Sequence, residues 1–123
     1  MIKNILLVGL GGGIGSIARY LLQKWFTVNY MQAFPWGTFI INFVGCFLIG
    51  IFWKLSFKSF DNGESWKLFL MTGLCGGFTT FSAFTLESIG LIKEQKLALF
   101  LSYVAASIVI GLLATYLGIR MTK

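Results

Sequence analysis

Histidine is absent from the 123 residues of this sequence, and Asp and Glu together number only 4. Without imidazole the usual proton shuttle and the commonest metal ligand are gone. So few carboxylates leave little for hydrolytic chemistry, and an enzyme is not expected. The 2 cysteines, Cys46 and Cys75, each lie inside an apolar run without CxxC spacing, which supports buried free thiols and neither a redox pair nor a zinc site. Charge of any sign is scarce, at 11% of residues, and proline occurs once. No repeat, low-complexity tract or second domain is visible.

What fills the chain is hydrocarbon. Hydrophobic residues make up 57%, and the mean hydropathy of +0.83 lies far outside the range of a soluble domain. A helix needs about 20 mostly apolar residues to cross a bilayer. Four such runs are expected, over about 4–26, 35–52, 66–92 and 97–119, in an all-α integral membrane fold forming a single domain. Residues 2–10 behind Lys3 resemble a signal peptide, but the apolar run continues past Arg19, so it reads as the first span. Thr27 to Phe34 looks polar and turn-like, Pro35 suits a first helical turn, and Trp36 and Trp53 bracket the second span as interfacial anchors. The strongly polar connection holds Lys54, Lys58, Asp61, Asn62, Gly63, Glu64 and Lys67, and Lys93 to Lys96 form a tight turn.

The formal net charge of +6 would suggest nucleic acid in a soluble protein. Here Lys and Arg sit at the ends of apolar runs, the pattern of membrane flanks, and no nucleic-acid partner is expected. Four spans put both termini on one side with Lys3, Lys54, Lys58, Lys67, Arg120 and Lys123, against Arg19, Lys24, Lys93 and Lys96 on the other. That near-even split is what a chain able to insert in both orientations would carry, so dual topology stands as a hypothesis.

Within the spans a few residues break the apolar rule. Gly13 to Ala18 matches the dinucleotide fingerprint G-x-G-x-x-A, but no strand precedes it and the first acidic residue is Asp61. Gly9 with Gly13, and Gly11 with Gly15, read instead as small-residue pairs for helix packing. Arg19 is either an interfacial anchor or a positive vestibule residue. Asn42 requires a partner in the bilayer, whether another helix or a pore. Gly76-Gly77 followed by Thr79-Thr80 weakens the third helix near its middle, where freed carbonyls can hold a cation. Phe78, Phe81 and Phe84 recur every three residues beside Ser82 and Thr85, as packing or as a row of ring edges open to an anion. Tyr103, Ser107, Gly111 and Thr115 form a polar and small stripe on the fourth span, suggesting a solute track. A conduit of amide, hydroxyl and ring edges without mid-span carboxylates suits a small anion better than a cation.

Gly12-Gly13-Ile14-Gly15-Ser16 with Arg19-Tyr20, Pro35-Trp36-Gly37-Thr38 with Asn42, and Gly76-Gly77-Phe78-Thr79-Thr80-Phe81-Ser82-Ala83-Phe84 together resemble the Fluc (CrcB) fluoride channels, across all four spans. The resemblance implies a dual-topology antiparallel homodimer with two narrow pores that passively exports cytoplasmic fluoride across the cell membrane. It implies Phe81 and Phe84 as pore phenylalanines with Ser82 beside them, Asn42 as the nearby amide, Tyr103, Ser107 and Thr115 as the polar track, and Arg19 in a vestibule. It also implies a structural sodium ion on the main-chain carbonyls of Gly76 and Thr79 of both subunits. Ala83 and Gly111 depart from the family by lacking hydroxyls, and some relatives pair with a paralogue as heterodimers. The rival readings are a small dual-topology multidrug exporter, which needs a membrane-embedded carboxylate that the first span lacks, and a non-conducting assembly subunit, which leaves the polar stripe unexplained.

Overall fold

A computed structural model of the protein describes residues 1–29, 34–56 and 63–121. Among these residues there is no strand. The helices are α1 (Ile2–Asn29), α2 (Trp36–Ser56), α3 (Gly63–Lys67), a π-helical stretch (Leu68–Cys75), α4 (Gly76–Phe78), α5 (Phe81–Lys93) and α6 (Leu97–Met121). Four segments are long and apolar enough to cross a membrane: Ile2–Val28, Trp36–Leu55, Ser65–Lys93 and Leu97–Met121. The chain is a multi-pass membrane protein, and its third span is the composite from the end of α3 through α5. Lys58, Asp61 and Asn62 of the expected polar connection, and Lys123, lie outside the described residues.

The helices outrun the apolar cores that predict them, because a helix continues into the headgroup region once its backbone bonds are closing. α1 runs through Thr27, whose hydroxyl donates to the Gln23 carbonyl at 2.8 Å, so the helix takes in Thr27 to Asn29 of the expected turn, and residues 30–33 of it lie outside the described residues. Pro35 precedes the first helical residue, its carbonyl accepting from the Phe39 amide at 3.1 Å. The turn before α6 is as expected: the amides of Glu94 and Gln95 close onto the carbonyls of Gly90 and Ile92, and Gln95 adopts φ 60°.

Two parallel helix pairs carry most of the packing. α1 lies along the π-helical stretch and α4, and α2 lies along α6. Glycine sets both approaches. A Cβ on Gly15 would collide with the Leu74 carbonyl and the Phe78 amide, and one on Gly77 with the backbone of Gly12. In the other pair, Gly50 meets the Thr115 carbonyl and Gly118 the Phe47 carbonyl. Close backbone contact of this kind replaces the hydrophobic drive that lipid removes. Of the two expected small-residue pairs only Gly11 and Gly15 pack within the chain. Gly9 and Gly13 have nothing within 4 Å of an added Cβ, because they lie on the opposite side of α1. The innermost side chains, Thr38, Ile41, Tyr103 and Ala114, are fully buried along the α2–α6 seam.

These contacts separate glycines that packing requires from those it does not. Gly15→Ala is expected to destabilise the protein by about 1–3 kcal/mol through overpacking. Gly90→Ala, where nothing lies within 4 Å, should be neutral or stabilising by up to about 1 kcal/mol. Thermal unfolding of the two variants in detergent checks the difference.

Candidate functional site

The third span breaks, but not at its glycine pair. Gly76 keeps helical angles (φ −62°, ψ −38°). The chain becomes extended at Thr79 (φ −85°, ψ 159°) and Thr80 (φ −149°, ψ 123°) before α5 begins. β-Branched threonine favours an extended backbone, whereas Gly77 is held in the helix by its contact with α1. The phenylalanine stripe is divided as a result. Phe78, on the near side of the break, is buried, while Phe81 is 76% exposed and Phe84 intermediate.

An extended backbone in a bilayer must find partners for its polar groups. Asn42, projecting from α2, supplies two of them. Its Nδ2 donates to the Thr80 carbonyl at 3.1 Å and its Oδ1 accepts from the Thr80 amide at 3.0 Å, as a neighbouring strand would. The Thr80 hydroxyl then caps α5 by accepting from the Ala83 amide at 3.1 Å. In an unbroken helix the amides of Thr80 and Ala83 would close onto the carbonyls of Gly76 and Thr79, so both carbonyls are released. A third released carbonyl, on Gly77, accepts from Arg19 Nε at 3.1 Å. Arg19, expected in a vestibule, thus sits against the break, where the carbonyl dipole compensates its charge.

One cavity of about 370 Å³ opens beside this break, lined by Asn42, Gly76, Thr79, Thr80, Phe81, Phe84 and Ser107 among others, with no acidic side chain among them. The rings of Phe81 and Phe84 lie 5.8 Å apart at 40°, and Phe84 stands 5.0 Å from the Tyr103 ring. Ser82 is exposed just beyond, its Oγ 3.3 Å from Thr80 Oγ1. These groups offer a small anion ring edges, hydroxyl donors and the second amide hydrogen of Asn42. The released carbonyls of Gly76 and Thr79 are oxygen donors of the kind that can hold a hard cation.

The stripe on α6 is less continuous than its spacing suggests. Ser107 reaches the cavity. Thr115 instead donates to the Cys46 carbonyl at 3.1 Å, joining α6 to α2, and the Tyr103 hydroxyl donates to Glu87 Oε1 at 3.1 Å. That last bond belongs to a constellation that sequence reasoning missed. Gln23 Nε2 donates to Thr38 Oγ1 at 2.7 Å, and Thr38 Oγ1 donates to Glu87 Oε2 at 2.9 Å. One hydrogen-bonded chain therefore crosses α1, α2, α5 and α6, with the carboxylate accepting on both oxygens. The signal for it was present, since a carboxylate and a phenol in apolar runs each demand a partner.

Comparison with known proteins decides the family. The family model described as CrcB-like protein, Camphor Resistance (CrcB), matches residues 6–119. The chain belongs to the CrcB family. One CrcB relative, a fluoride-specific ion channel FluC of Phocaeicola vulgatus, is 46% identical over 121 residues, taking in 98% of this chain and 99% of its own length. Another of that name, from Leptospira interrogans, is 45% identical, with 98% and 95% covered. A third, from Flavobacterium psychrophilum, is 40% identical, with 98% of both chains covered.

Two substitutions probe how the break and the crossing chain are held. Asn42→Leu leaves the Thr80 amide and carbonyl without partners, each costing about 1–3 kcal/mol, and should speed hydrogen exchange at Thr80 as well as lower thermal stability. Glu87→Gln removes one acceptor from a site with two hydroxyl donors and should cost about 1.5–3 kcal/mol, read as a lower unfolding midpoint.

Proposed function

We propose that this chain is a fluoride-selective channel that lets cytoplasmic fluoride leave passively across the cell membrane. The observation that carries the reading is near-full-length identity to relatives named fluoride-specific ion channel, falling on a chain whose helix break gathers donors and ring edges around one carboxylate-free cavity. Fluoride is small and strongly hydrated, so a dehydrating path must replace lost water with many close donors. Asn42, Ser82 and Ser107 provide hydrogens, and Phe81 and Phe84 provide positive ring edges. Tyr103 and Thr115, whose hydroxyl hydrogens are engaged by Glu87 and the Cys46 carbonyl, form the walls of the track. The Arg19 charge beside the break favours an anion over a cation.

The working unit in this reading is an antiparallel homodimer with two pores. Four helices are too few to enclose a pore, Phe81 is bare, and among the described residues nothing lies within 4 Å of a Cβ added at Gly9 or Gly13 of α1. The near-even Lys and Arg distribution agrees with insertion in both orientations. At the dimer axis the Gly76 and Thr79 carbonyls of both subunits would hold one sodium ion, which joins the two chains at the breaks. A paralogue could fill the second place; the purified chain dimerising alone would favour the homodimer.

Liposomes reconstituted with the purified protein are expected to release fluoride, followed with a fluoride electrode, and to keep chloride trapped. Equal efflux of the two anions would overturn the selectivity. Phe81→Ile and Phe84→Ile are each expected to abolish fluoride efflux while size-exclusion still reports a dimer, and unchanged flux in both would remove the ring edges from the mechanism.

A further inference from the structure

A second cavity, also of about 370 Å³, lies far from the break, between the start of α1 and the start of the third span. Its walls are Leu7, Leu10 and Phe69, and its rim is Lys3, Ser65 and Trp66. From Lys3 to Leu10 the groove descends about 10 Å along the helix axis. The rim therefore stands at the membrane boundary and the walls in the hydrocarbon. Trp66 and Leu10 are both more than half exposed, so the groove opens sideways to lipid. We propose that it is a binding site for an anionic phospholipid, with the phosphate at the Lys3 ammonium and Ser65 hydroxyl, the glycerol region against the Trp66 indole, and an acyl chain between Leu10 and Phe69.

Charge argues for an anionic headgroup. At this end of the bundle the helices carry the cations Lys3, Lys54, Lys67 and Arg120 against one carboxylate residue, Glu64 of α3, which leaves an excess of positive charge. The salt bridge from Lys96 to Glu94 lies at the opposite end. Basic pockets between membrane helices recognise anionic headgroups, and tryptophan settles at headgroup depth. α1 and the third span are in backbone contact at Gly11, and the cavity opens between them on the side of Lys3 and Ser65. The site needs only that the protein lie in a bilayer, so it stands apart from what the channel conducts.

Native mass spectrometry of the purified full-length protein, titrated with phosphatidylglycerol or phosphatidylcholine, tests this. The wild type should bind phosphatidylglycerol about fivefold more tightly, and Lys3→Gln should bring the two lipids to equal affinity without altering phosphatidylcholine binding. Equal affinities in the wild type, or a preference that survives Lys3→Gln, would overturn the proposal. So would efficient disulfide cross-linking between subunits through Leu10→Cys, which would put a second copy of the chain in the groove.

Discussion

The two hydrogen bonds between Asn42 and Thr80 are the constraint on which the site rests. A helix broken in hydrocarbon exposes amides and carbonyls that have no water to turn to, and each orphan costs as much as a whole side chain's burial can return. Asn42 meets the cost at Thr80 with one side chain, presenting donor and acceptor in the order that an extended residue needs. Once Thr80 is held, its hydroxyl is in place to start α5, Phe81 and Phe84 turn toward the cavity, and the carbonyls of Gly76 and Thr79 come free. Remove the amide and the released groups have no reason to stay apart.

The glycines serve a different purpose from the one their flexibility suggests. Gly76 and Gly77 remain helical, and it is threonine that leaves the helix. Gly77 lets α4 lie against Gly12 of α1, which brings Arg19 within reach of the break. A permanent positive charge there is tolerated because the Gly77 carbonyl, released by the break, accepts from it. Close packing and the electrostatics of the site thus share the same residues.

Much of this was legible in the residues. Four apolar runs gave the spans to within a few positions, and the combination Gly-Gly-Phe-Thr-Thr-Phe announced a break and its aromatic neighbours. Periodicity failed where the backbone stopped being helical: the three-residue spacing of Phe78, Phe81 and Phe84 assumes one helix, and two extended threonines separate the first ring from the others. On α6 spacing could not supply the partners that Tyr103 and Thr115 find, Glu87 and the Cys46 carbonyl. Such cross-span partners are set by helix rotation and depth, which one sequence does not encode locally. The same is true of the Gln23–Thr38–Glu87–Tyr103 chain, whose members come from four separate spans.

The parallel pairing of α1 with the third span and of α2 with α6 has a consequence for biosynthesis. Each helix finds its main partner two spans later, so the first two enter the bilayer before their glycine faces have anything to close upon. During that interval Arg19 has no Gly77 carbonyl to receive its charge and must stay near the headgroups or water. The first helix can complete its packing, and Arg19 its contact with the break, only after the third span has been made.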